Sequence, residues 1–118
     1  MNTSKQLLFL TELEDIFNYL HSQDVKPYCD LLVKRFAKCL TSPNNQIVEK
    51  VLCICNKKSF ASVMIKDQSN FVILATGLYH ALQYCCDENH SLSIQQMAHH
   101  IIGLLMDHDM DFMTSLSQ

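Results

Sequence analysis

The residues of this 118-residue chain best equipped for chemistry are six cysteines, six histidines and a run of aspartates near the C-terminus. Asp107, Asp109 and Asp111 alternate as the opening ligands of a calcium-binding loop do. Such a loop needs glycine at its sixth position and a bidentate glutamate at its twelfth; here Phe112 and Gln118 stand there, so the spacing fails. Cys85, Cys86, His90, His99 and His100 are donors suited to zinc. No pair among them has C-x-x-C or H-x-x-x-H spacing. Adjacent His99 and His100 would point about 100° apart on a helix, too far to share an ion. Cys86 with His90 is the candidate for a thiol beside a base, but no recognisable third group or oxyanion donor accompanies it. Gly77 and Gly103 stand alone in helical patterns, so no glycine loop can cradle a phosphate. The sequence therefore predicts no catalytic residue, no bound metal, no cofactor and no enzyme. A self-contained bundle with a metal or thiol function around Cys85–His100 is the second reading.

The elements that would position these residues are all helical. Apolar residues make up 48% of the chain and charged residues 18%, with two glycines and two prolines. That balance is globular, and so few turn-forming residues disfavour a sheet protein. Apolar residues recur every three or four positions in segments that predict helices near 3–21, 24–41, 43–55, 57–66, 69–86 and 91–108, with a final turn or short helix from Met110 to Leu116. In the first, Leu10, Leu13, Phe17 and Leu20 mark the apolar face, widened by Leu7, Phe9 and Ile16. The corner at Thr41–Asn45 divides the second from the third: Ser42 is placed to cap, and Pro43 suits a first helical position. Asp24 is a cap candidate for the second helix and Ser93, with Gln96, for the sixth. Pro27 falls where a first helical turn tolerates proline. Gly77 is either a close-packing point or a local cost of about 1 kcal/mol against alanine.

Helix starts near Thr3, Pro43 and Ser91 lie 40 and then 48 residues apart, close to the roughly 40–47-residue period of HEAT and armadillo units. The pattern predicts one all-α domain over residues 1–118. It would be a short right-handed solenoid of about two and a half to three antiparallel hairpins. With a net charge of −3 and no large Lys/Arg cluster, nucleic acid is not an expected partner. The N-terminus lacks a secretory pattern, and no apolar run reaches membrane-spanning length, so the expectation is a cytoplasmic or nuclear protein with reduced thiols. Arg35 and Lys38, three apart on the second helix, and Asn56, at the corner after the third, are the candidate partner-binding residues.

Two strings then carry a resemblance. Phe9, Leu10, Glu12, Leu13, Glu14 and Ile16 in LLFLTELEDIF, and Ala37, Lys38, Cys39, Ser42, Pro43, Gln46, Glu49 and Leu52 in RFAKCLTSPNNQIVEKVL, match strings of the B-prime family of protein phosphatase 2A regulatory subunits. Asn56, Ser62, Leu78 and Tyr79 fit further on without a gap. The likeness spans about residues 7–80 and is weaker beyond Tyr79. In the family this region is the C-terminal part of a longer HEAT-like solenoid. The resemblance implies a non-catalytic subunit that contacts the phosphatase scaffold and catalytic subunits and modulates activity or targeting. It lacks the family's middle repeats and their groove for short substrate motifs, and Cys53-Ile54-Cys55 replaces an aromatic cluster. Solenoid units bury their faces against neighbours, so the N-terminal face around Leu7–Leu20 is expected to be sticky or self-associating.

Overall fold

The structure, a computed structural model, describes residues 3–118. Among them the elements are α1 (Thr3–Ile16), α2 (Ser22–Val25), a 3₁₀ turn (Lys26–Tyr28), α3 (Cys29–Leu40), α4 (Asn45–Cys55), α5 (Lys58–Met64), α6 (Gln68–Glu88), α7 (Leu92–His108) and α8 (Met110–Leu116). The protein is all-α. Helices α1, α4 and α7 pack side by side as one layer, with α3 and α6 as a second; α3 crosses to α4 and α6 to α7. The thinnest dimension, 20 Å, equals two helix diameters of about 10 Å.

The repeat shows in the hydrogen bonds between elements. Asn44 Nδ2 donates to Thr3 Oγ1, Lys26 Nζ to Asp67 Oδ1 and the Cys29 thiol to Asn70 O, each pair 41 residues apart. The Cys85 thiol donates to Leu40 O, 45 residues away. These contacts join like ends of α1 with α4 and of α3 with α6, so helices within a layer run parallel. Asn89 Nδ2 on Asn45 Oδ1 joins the end of α6 to the start of α4, which makes those two antiparallel. An offset of 41–45 residues is the stacking period of HEAT-like hairpins.

Between the layers lies a core that includes Phe17, Phe36, Val48, Leu52, Phe60, Leu74, Leu78 and Leu82. Phe60 meets Phe17 edge-on (centroids 5.2 Å apart) and stacks with Phe36 (6.0 Å), tying α5 to the first hairpin. Gly77 is a close-packing point: a Cβ there would collide with Val33 Cγ1, so the bare backbone lets α6 lie against α3. Gly103 has open space where its Cβ would be.

Several helix ends differ from their sequence expectations, each for a local reason. The first helix ends at Ile16 rather than near 21, and Phe17–Tyr19 forms a turn. The second, expected to be continuous over 24–41, is α2, a 3₁₀ turn and α3. Pro27 has no N–H for the carbonyl four residues back, so the ladder tightens across Lys26–Tyr28. Asp24 works from inside α2, accepting from His21 N at 2.9 Å. At the central corner Asn44, not Ser42, is the cap: its Oδ1 accepts from Gln46 N at 2.9 Å, while Ser42 Oγ accepts from Asn44 N and Pro43 lies outside the helix. Ser91, not Ser93, caps α7 through Ile94 N. Asp67 caps α6 through Ser69 N and Asn70 N.

Candidate functional site

Helix α1 carries Leu7, Leu8, Phe9 and Leu10 in succession, and these span more than half the helix circumference. They cannot all face one core. Leu10 and Phe17 are buried; Leu7, Leu13 and Leu20 pack partly against the core. Within the Leu7–Leu20 stretch expected to be sticky, Leu10 and Phe17 therefore face inward while other apolar residues stay outside. What remains outside on α1 includes Phe9, 54% exposed, and Ile16; the 3₁₀ turn and α3 add Tyr28 at 66% and Leu31 at 61%. Tyr28, Leu31, Leu32, Arg35, Phe36 and Cys39 follow one another at helical spacing, so a single strip of the second hairpin arm faces α1.

Because α1 rests on α4, and α3 on α4 and α6, α1 and α3 leave a trough between them. Its first hollow, about 470 Å³, has Leu10, Leu32 and Phe36 at its base and Phe9, Tyr28 and Leu31 on its walls. A second, about 690 Å³, continues past Arg35 and Lys38 to the Thr41–Pro43 corner; Gln6, Leu31, Arg35 and Cys39 border both. The start of α1 adjoins the start of α4, beside the end of α3, so α1 and α3 run antiparallel and Lys5 lies at the same end as Arg35 and Lys38. Among the described residues, four cations, Lys5, Lys34, Arg35 and Lys38, border the two hollows, and no Asp or Glu does. Lys34 pairs with Asp30 at 3.0 Å, one turn back.

Of the three residues singled out in the sequence, Arg35 and Lys38 thus share one site. Asn56 does not join them. It ends α4, its N–H donating to Leu52 O at 3.1 Å, and lines a separate cleft of about 340 Å³ with Leu52, Gln96, Met97 and His100. Phe9, Tyr28 and Leu31 were not singled out; the four-residue apolar run in α1 and the Leu31-Leu32 pair were the signals that some apolar residues must face outward.

The chemistry-bearing residues do not converge. Cys85 is buried and burial pushes its thiol up to about 11; Cys55, also buried, is pushed up to about 12. Burial likewise raises Cys29, Cys39 and Cys86, so these thiols stay protonated at neutral pH and are poor nucleophiles. Cys86 is turned towards Gln95 O, while His90, His99 and His100 are exposed. Among the described residues no three His, Cys, Asp or Glu side chains gather in metal-binding reach. Asp109 is taken up as the cap of α8, accepting from Phe112 N at 3.1 Å. Among the described residues, the side chains around Cys85–His100 thus form no cluster of the kind the metal reading needs. No helix among the described residues is long and apolar enough to cross a membrane.

Fold and trough together define a helical-repeat array with an open, apolar, basic-rimmed edge. Residues 1–118 match the family model described as the protein phosphatase 2A regulatory B subunit (B56 family). The chain is 30% identical over 116 residues to the serine/threonine-protein phosphatase 2A 56 kDa regulatory subunit delta 2 isoform of Schizosaccharomyces pombe, covering 98% of this chain and 18% of that protein. It is 28% identical over 105 residues to the regulatory subunit pptr-1 of Caenorhabditis elegans (89% and 19% covered). With the 56 kDa regulatory subunit beta isoform of Homo sapiens it shares 25% identity over 105 residues (89% and 20% covered). The chain belongs to the B56 family of protein phosphatase 2A regulatory subunits. It spans about a fifth of the length of these relatives.

Proposed function

We propose that this chain is a non-catalytic regulatory component of protein phosphatase 2A that docks on the scaffold and catalytic subunits and modulates the activity or targeting of the enzyme. The observation that carries this reading is the family match across the whole chain, on a fold in which hydrogen bonds between like helix ends span 41–45 residues. An array of that kind binds through extended side-chain surfaces rather than through a reaction centre. Arg35 and Lys38 at the trough, and Asn56 at the α4–α5 corner, are the residues assigned to partner contact, and the cytoplasm or nucleus is the expected compartment. In this reading residues 1–118 form one domain of about two and a half to three hairpin units.

The test is co-purification of the tagged chain with the phosphatase scaffold subunit, beside a full-length family member. Retention of scaffold and catalytic subunits, reduced in Arg35→Ala/Lys38→Ala or Asn56→Ala, supports the assignment. Loss of both subunits under conditions that retain them on the relative overturns it. A second reading, a helical-repeat module with a different protein target, is favoured by the exposed apolar trough and would then take its place.

A further inference from the structure

The cleft between α4 and α7 lies inside the array, since α4 has α1 on its other flank and α7 rests on α6. It is built from one helical turn of each wall. Leu52 and Asn56 stand four apart on α4, and Gln96 and His100 four apart on α7, so each pair shares a face. Leu52 is buried and Met97 half-buried, which makes the floor apolar; Asn56, Gln96 and His100 are exposed at the mouth. Among the described residues, none of these three side chains has a hydrogen-bond partner within the chain. No Lys, Arg, Asp or Glu lines the cleft.

A small apolar floor ringed by unengaged amides fits one class of ligand. A carboxamide offers two N–H donors and an acceptor oxygen, the complement of a peptide unit, which has one N–H and one C=O. An extended backbone leaves those groups free, whereas a helix turns them on itself. A docked helix also needs anchors spread over two turns, and each wall here supplies one turn. The volume, about 340 Å³, is at the lower end for ligand clefts.

We propose that the α4–α7 cleft binds an extended, uncharged peptide segment of a partner protein. One aliphatic side chain enters between Leu52 and Met97, and the amides of Asn56 and Gln96 clamp the peptide units on either side of it. The unbranched thioether of Met97 adapts to a leucine or a methionine. A charged side chain would lose its water there and find no ion to pair with. His100 closes the mouth and adds a ring nitrogen for one further hydrogen bond. This deepens the reading of Asn56 as a partner-contact residue and rests on it.

NMR of the whole chain, isotope-labelled in its methionine methyls and side-chain amides, tests the site directly. The probe is a terminally blocked hexapeptide of serine and threonine with one central leucine. It should shift the Met97 methyl and the Asn56 and Gln96 amides, while Met110, 54% exposed on α8, stays in place. Asn56→Ala and Gln96→Ala should each weaken binding about three- to tenfold. Both side chains are exposed, so the variants should stay folded, which their spectra check. The same peptide with N-methylated amides flanking the leucine should bind at least about tenfold more weakly, and one with aspartate for leucine should leave Met97 unmoved. No response of Met97 and the two amides at about 1 mM peptide, equal affinity for the N-methylated peptide, or unchanged affinity in both variants would each overturn the proposal. So would an equal response at Met110, or a stronger response to a helical peptide bearing a leucine ridge. The same shifts on concentrating the chain alone would give the cleft to a second copy and also overturn it. No phosphatase subunit enters this measurement, so its failure is distinct from a failure of co-purification.

Discussion

Asn70 is the one buried polar residue among the described residues, 1% exposed near the start of α6. Its Nδ2 donates to Ser22 O at 3.1 Å and to Val63 O at 2.9 Å, so a single amide pins α6 to α2 and α5. Replacement by leucine or alanine leaves two carbonyls without this donor. We expect a loss of about 2–3 kcal/mol in urea unfolding, well above the median for a point substitution. Glu14 does comparable work elsewhere in the array: its carboxylate holds Lys50 at 2.8 Å and Lys57 at 3.2 Å, bridging α1 to the middle of α4 and to the α4–α5 corner. The hydrogen bond from Lys50 is the main reason its carboxyl ionises below the ordinary value of 4.5, against the opposing effect of burial. A depressed folded-state pKa gives a contribution fully present above pH 4.5 and lost as pH falls through the lower folded value. Glu14→Gln should therefore cost about 1 kcal/mol at neutral pH, and the difference from the parent should shrink below pH 4.5. A stability gap independent of pH from 3 to 7 would show that the charge of Glu14 is not what stabilises this contact.

At the scale of elements, the two glycines make a matched comparison. Gly77→Ala must push against Val33, and over-packing of this kind costs about 1–3 kcal/mol, only partly offset by a helix-propensity gain of up to about 1 kcal/mol. Gly103→Ala meets nothing within 4 Å and should stabilise the chain by up to about 1 kcal/mol. Thermal melts of the two variants should move in opposite directions. Helix existence and type were readable from the 3.6-residue periodicity, and α4 and α7 stand close to their expected spans. The ends were less readable, because neighbouring polar residues compete to cap. At Thr41–Asn45 four side chains could serve, and the choice of Asn44 is tied to its second bond, from Nδ2 to Thr3 on α1. Sequence spacing alone carries no record of that distant partner. The same holds for Pro27, whose tolerated place in a first turn did not disclose that the turn itself would be 3₁₀.

For the molecule as a whole, the 41–45-residue offset of its cross-repeat bonds was foreshadowed by helix starts 40 and 48 residues apart, and the family strings named the array before its geometry was known. The trough was only half legible. Arg35 and Lys38 stood out as a basic pair, yet Phe9 was counted with the apolar face of the first helix, because an apolar residue at helical spacing looks the same whichever face it takes. Which face is inner is decided by the neighbours, and α1 has its neighbour in α4. The open edge is thus a property of assembly that no single helix encodes. Its meaning for function rests on whether the chain engages the phosphatase core. The most direct measurement is competition: a labelled full-length family member bound to the purified scaffold–catalytic dimer, titrated with this chain. Dose-dependent displacement is expected, with Arg35→Ala/Lys38→Ala displacing less well. No displacement at concentrations far above those at which the relative binds would contradict it.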